Sequence, residues 1–326
     1  MRAPAAALLL ALSAAGAPAA AQAPLPAPAP QPPQAQPQPP RQYEPHRLYN
    51  TKTRRFGDLE TLIKRIASEA DVVYLGEFHN DPGTHVLQAA ILEGVRRRRS
   101  DAIVLSLEMF ERDVQPQLDS YLAGRISEDE FLGASRPWGN YLNDYRPMVE
   151  QAKANGWPVV GGNIPRRLAQ VVSRRGLAAL DSVPESDRPY FATEHICPRD
   201  EYWERFRETM GDMSGHGMQL TPDQVEAMVW RTYQAQCVKD EAMAESIVAA
   251  RAAHNTLVIH ANGAFHSDFG LGTAARVKRR DRRVRQLVVS FVPVQDLDAA
   301  NGRAHRKRAD YIVFTLAPAP AAPATP

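Results

Sequence analysis

Apolar residues recur along this chain in two rhythms. Short, nearly continuous runs rich in β-branched residues occupy 71–76, 102–107, 158–161, 256–260, 286–292 and 311–315. Runs of that length, bounded by glycine or polar residues, predict strands buried on both faces. Between them, apolar positions fall three and four residues apart. Leu59, Leu62, Ile63 and Ile66 share one helical face behind Asp58, a good helix cap. Further helices are expected at 84–98, 112–122 and 144–154, and Pro165 suits the first turn of another. Strand and helix in alternation predict an α/β fold, a parallel-type sheet flanked by helices. From about 184 to 253 no strand-like run occurs. Met, Trp, Tyr and His recur there at helical spacing, so a smaller helical insertion is expected.

Outside 48–316 the rhythms lapse. Residues 1–21 combine Arg2, the Leu8-Leu9-Leu10 core and the small residues Ala19-Ala20-Ala21. That order predicts a signal peptide cut after Ala21, and hence a periplasmic or secreted protein. The apolar run is shorter than the roughly 20 residues that span a bilayer. Residues 22–46 form a Pro/Ala/Gln tract, read as an extended, solvated, disordered linker, and 317–326 as a disordered tail. Lys and Arg total 39 against 37 Asp and Glu, which points to no nucleic-acid partner. The basic runs at 96–99 and 276–285 read as solvated faces. Cys197 and Cys237 are the only cysteines. Export favours a disulfide, worth about 3–4 kcal/mol in the chain-entropy picture. Two free thiols, or a metal pair joined by His195, are the alternatives.

The candidate chemistry sits at strand ends. The first strand delivers Gly76-Glu77-Phe78-His79, the second Glu108, the third Asn163, and the fourth Gly263-Ala264-Phe265-His266. Ligands of open parallel sheets bind beyond the carboxyl ends of strands, so these groups can share one crevice. The Gly-x-x-His spacing occurs twice, with Phe before each His. Imidazoles and carboxylates in this pattern are ordinary metal ligands and an ordinary proton-transfer pair. Loop-capping by His79 and His266 is the plainer alternative. Nucleophile-elbow, Walker, dinucleotide and His-Glu-x-x-His motifs are absent.

An ordered set of segments resembles the ChaN-like haem-binding uptake family of the Tiki superfamily. It begins with Leu75 to Pro82, His85 and Gln88, and continues through Ser106 to Phe110, Trp138 and Tyr145-Arg146-Pro147. It ends with Gly162 to Arg166, Gln236, Asp240 to Ala244, and Asn262 to His266. The resemblance covers roughly 72–294. It implies an exported protein of haem or iron uptake, with haem as ligand and haem-transfer partners in the periplasm or outer membrane. A homodimer is open to it. In the superfamily's proteolytic members the Gly-x-x-His motif is implied to hold a divalent metal, which carries over here to Glu77, His79, Glu108 and His266. The chain departs in lacking a lipobox cysteine, and no haem-ligating tyrosine is matched by motif. For haem, the insertion offers apolar bulk in Met210, Met213, Met218, Met228, Trp230 and Met243. Tyr233 and His216 are the axial candidates there, and Arg199, Arg205 and Arg207 the propionate partners. Ordinary helical core is the competing reading of the same residues. Two functions follow: a non-enzymatic exported haem-binding protein, which is favoured, or a metal-dependent hydrolase, a peptidase or esterase.

Overall fold

The structure, a computed structural model, describes residues 43–211 and 221–318. The signal segment, nearly all of the linker and most of the tail lie outside these residues, as do Met213, His216 and Met218. The chain runs β1 (His46–Asn50), β2 (Arg55–Gly57), α1 (Leu59–Glu69), β3 (Val72–Glu77), α2 (Pro82–Arg96) and β4 (Val104–Glu111). Then follow α3 (Gln115–Leu122), α4 (Glu128–Ser135), α5 (Tyr141–Asp144), α6 (Arg146–Ala154), β5 (Val159–Asn163) and α7 (Arg166–Arg175). The last part is α8 (Glu201–Gly211), α9 (Pro222–His254), β6 (Val258–Gly263), α10 (Gly272–Arg280), β7 (Gln286–Val294) and β8 (Tyr311–Leu316).

Among the described residues, eight strands form one sheet in the order β2-β1-β8-β7-β3-β6-β4-β5. The six from β8 to β5 are mutually parallel, and β1 joins β8 and β2 antiparallel. Each central strand buries both faces, which is why its sequence is an unbroken apolar run. Val73 and Leu75 face a core with Leu62, Ile63, Leu87 and Met148. Val72 and Tyr74, pointing the other way, pack with Ile247 and Val277 of α9 and α10. Each such side chain removed from water stabilises the fold by about 1.5–3 kcal/mol.

The topology fixes where a ligand can enter. From β3 the chain moves over one flank to β4 and β5. It returns to β6, between β3 and β4, then leaves over the other flank to β7. Connections therefore diverge at the carboxyl ends of β3 and β6, the position at which open α/β sheets form a crevice.

Three expectations change in detail. The hairpin of β1 and β2 has no counterpart in the strand pattern, because β2 is three exposed residues and β1 only partly buried. The segment expected as an insertion is not wholly separate from the sheet: α9 is one helix of 33 residues, and its second half is the crossover that covers β4, β5 and β6. Its start is fixed by a capping box in which Thr221 and Gln224 bond reciprocally. The basic run near α10 is largely used internally: Arg276, Arg279 and Arg280 surround the buried carboxylate of Glu241, and Arg285 pairs with Asp71.

Cys197, in the segment before α8, is bonded to Cys237 of α9, with Cα atoms 5.6 Å apart. The link ties the α8 arm to the long helix. Thiol labelling of the denatured, non-reduced protein is expected to find no free thiol. The Cys197→Ser, Cys237→Ser pair of substitutions is expected to lower unfolding free energy by about 3–4 kcal/mol in a denaturant titration. Two labelled cysteines in the untreated protein would reject the link.

Candidate functional site

Glu77, His79, Glu108 and His266 all border one cavity of about 640 Å³ beyond the ends of β3, β4 and β6. They are organised as two units. In the first, Glu77 ends β3 with its side chain wholly buried. Its carboxylate accepts hydrogen bonds from Tyr145 Oη at 2.6 Å, Gln88 Nε2 at 2.8 Å and His79 Nδ1 at 2.9 Å. The last bond selects the tautomer of His79, because a proton on Nδ1 leaves a lone pair on Nε2. The His79 side chain is 42% exposed, so that nitrogen is reachable. Its ring meets Trp138 edge to face, with centroids 4.8 Å apart. The opposite side is Gly263, where a Cβ would stand 2.9 Å from Nε2, so only glycine leaves room for the imidazole. Burial alone would depress the His79 pKa. The hydrogen bond to Glu77 and the charges of Glu108 and Glu77 outweigh it, and the net direction is upward.

The second unit is an ionic cluster around His266. Its Nδ1 lies 2.7 Å from Asp240 Oδ1, and its Nε2 3.3 Å from Glu108 Oε1. Asp240 comes from α9, Glu108 from β4, and His266 from the short turn that follows β6. Asp240 also accepts from Thr273 Oγ1 at 2.8 Å and Tyr202 Oη at 2.9 Å, and Glu108 accepts from the Gly263 N–H at 2.7 Å. Burial opposes ionisation of all three groups. The mutual charges prevail, holding the imidazole at about 9 and both carboxyls below their ordinary range. His266 is therefore an imidazolium at neutral pH, with both nitrogens engaged.

This arrangement changes the metal expectation. The four residues border one cavity, but both His266 nitrogens face the carboxylates of Glu108 and Asp240. Among the described residues no group of three or more His, Cys, Asp or Glu is placed to hold a metal ion. Asn163 turns away from the cavity and donates to the Glu108 carbonyl at 3.1 Å.

The haem-ligand expectation also changes. Tyr233 is 0% exposed, inside an aromatic cluster with Tyr202, Trp203, Phe206 and Trp230. Its hydroxyl donates to the Pro198 carbonyl at 3.1 Å, and burial raises its pKa, disfavouring the tyrosinate that iron needs. Met243 lies in the core as well. Arg199 pairs with Glu226 and stacks on Trp230, and Arg207 pairs with Glu204, so neither reaches the cavity. Arg205 does. The insertion nevertheless contributes directly, since α8 and the middle of α9 roof the same crevice. Phe78, His79 and Trp138 form one wall, and Phe206, Lys239 and Phe265 another. Lys239, Phe269 and Arg308 were not singled out in the sequence, because nothing in their spacing marks them.

The family described as haem-binding uptake, Tiki superfamily, ChaN matches residues 62–277. The chain belongs to this family. Among solved structures, the ChaN of Campylobacter jejuni, described with cofacial haem binding, is 18% identical with a TM-score of 0.61. The match covers 82% of this chain and 96% of that one. An erythromycin esterase variant in an open conformation is 11% identical with a TM-score of 0.48, covering 82% and 97%. No curated protein matches the sequence. For this ChaN-family chain the first comparison confirms the α/β architecture.

The His266 cluster has a testable pH signature. Its folded pKa of about 9 lies above the ordinary 6.5. The stability it contributes is fully present below pH 6.5 and is lost as pH rises through 9. The two carboxyls are shifted the opposite way, so their share is lost only as pH falls through and below the ordinary carboxylate range. Thermal unfolding is expected to show highest stability near pH 5–6.5 and a decline of a few kcal/mol towards pH 9. His266→Gln is expected to be less stable and to lose most of that alkaline slope. A variant with the wild-type slope would show that His266 is not the titrating group.

Proposed function

We propose that the protein binds haem in the strand-end cavity and serves haem or iron uptake as an exported, non-enzymatic carrier. The observation that carries the reading is an imidazole Nε2 presented into an aromatic-walled cavity by a buried carboxylate. A porphyrin site needs a broad apolar slot, one axial donor and cations for its propionates. The slot is supplied by Phe78, Trp138, Phe206 and Phe265, and the donor by His79. Glu77 fixes the ring and raises its basicity, as carboxylates behind ligating histidines do. Bound haem would supply the iron, and His79 is the residue that would hold it. Tyr202, the tyrosine bordering the cavity, donates a hydrogen bond to Asp240 and is fully buried, so the imidazole is the better donor.

The neighbourhood suits the porphyrin electrostatically. Glu108 is paired with His266, and Glu77 is enclosed by three hydrogen bonds behind His79, so neither carboxylate lies beside the ring unpartnered. Export through the 1–21 signal, with cleavage after Ala21, would deliver the carrier to the periplasm. Phe78, 46% exposed at the cavity, is surface that a transfer partner or a second copy would cover. The hydrolase reading gains no support of its own from the site, whose second imidazole is locked in an ion cluster.

Haemin titration followed by Soret absorbance tests the assignment. Wild type is expected to bind with a shifted band. His79→Ala is expected to lose at least about tenfold in affinity and to change the band, a difference of roughly 1.4 kcal/mol or more. Tyr233→Phe is expected to leave both unchanged. The opposite pattern would return the ligand to the aromatic cluster. Absence of binding by wild type would end the haem reading.

A further inference from the structure

One wall of the cavity carries features that iron ligation does not use. Lys239 projects from α9 into the cavity, half-buried, and no carboxylate among the described residues lies within ion-pair distance of it. Its charge helps to keep Glu108 ionised, and an ammonium with no direct ion pair remains open to an anion beside it. Arg205, on α8, borders the same space. Its carboxylate partner, Glu201 at 2.7 Å, lies one helical turn back and is largely exposed. Exposed pairs within one helix are weak, so the guanidinium is available to a stronger acceptor. The other carboxylates of the cavity are committed or peripheral. Asp268 pairs with Arg308 at 3.2 Å, Glu108 with His266, and Glu208 is exposed.

Beside these cations the backbone is strained. Phe269 has φ 62°, in the left-handed region that bulky side chains avoid. Its N–H is held by the Arg308 carbonyl at 2.6 Å, and Gly270 and Gly272, both at positive φ, complete the turn. The result places an aromatic ring on the cavity wall, with the Arg205 guanidinium 3.5 Å from its centroid. Strain of this kind persists where the surroundings over-determine it, and it concentrates at ligand clamps. An aromatic face with one cation stacked on it and a second cation bordering the same cavity has the chemistry to read a flat ring that bears carboxylates.

We propose that Lys239 and Arg205 bind the carboxylates of a planar tetrapyrrole that packs against Phe269, so the cavity accepts such dicarboxylates with or without iron. The ring class rests on the haem reading. The independence from iron goes beyond it, and predicts that iron-free porphyrin is also a ligand.

Fluorescence titration of the full chain with iron-free protoporphyrin IX, as the free diacid and as its dimethyl ester in matched detergent, separates the terms. The diacid is expected to bind, and the ester roughly tenfold or more weaker. Lys239→Met and Arg205→Met are each expected to weaken the diacid by about three- to tenfold while leaving the ester's affinity unchanged. Circular dichroism and the thermal midpoint establish that each variant is folded. Equal binding of diacid and ester, or equal losses for both in the variants, overturns the carboxylate assignment. Tight haemin binding with no binding of the iron-free diacid also overturns it, while leaving the haem reading intact. Failure of both haemin and diacid to bind overturns both proposals.

Discussion

The buried contact of His266 with Glu108 and Asp240 is the constraint around which this molecule is arranged. Three charges are removed from water, and none could remain ionised there alone. Each comes from a different part of the chain: the end of β4, the turn after β6, and the middle of α9. The remaining acceptor capacity is filled by Tyr202 of α8 and Thr273 of α10. Satisfying one imidazolium thus fixes the roof helices over the strand ends, and a cavity results between roof and sheet. The disulfide acts in the same direction, since it holds the arm that carries Tyr202, Arg205 and Phe206 against α9. With one partner missing, the cluster would leave an uncompensated charge, so loss of any member is expected to be felt in folding before ligand binding.

Much of this was legible in the sequence, for identifiable reasons. Strands buried on both faces leave unbroken apolar runs, so β3 to β8 could be read directly, and parallel order followed from the alternation with helices. The short hairpin of β1 and β2 leaves no such run. Glu77, His79, Glu108 and His266 could be placed together because strand ends of a parallel sheet share an edge. Their division into a hydrogen-bonded pair and an ion cluster could not, because it depends on Gln88, Tyr145 and Asp240, whose contacts cross 11, 68 and 26 residues. Tyr233 shows the opposite limit. An aromatic at helical spacing is core or ligand according to what packs on it, and here four other aromatic rings do.

The reading of α9 carries a related lesson. Its polar and apolar residues alternate without one clear stripe, because the helix changes surroundings along its length. Near Tyr233 it packs on α8, at Asp240 and Glu241 it meets buried cations, and around Ile247 it lies on the sheet. A helix with three environments has no single amphipathic face, so it reads as irregular and separate from the sheet. It is in fact the element that joins the roof to the sheet.

That continuity removes the choice between a haem site in the insertion and one at the strand ends. A buried, unanswered carboxylate beside an apolar ring would be costly. In the structure those carboxylates are already answered by protein groups: Glu108 by an imidazolium, and Glu77 by three donors. What they present to the cavity is a positioned histidine nitrogen, their own oxygens being engaged by protein groups. The cost of keeping them buried is met within the protein, independently of any ligand. The aromatic residues open to a ligand, among them Phe78, Trp138 and Phe269, take no part in the ion cluster. Architecture and recognition are thereby separated: the cluster constrains which residues can stand behind the cavity, while the wall can change and retune the ligand without disturbing the fold.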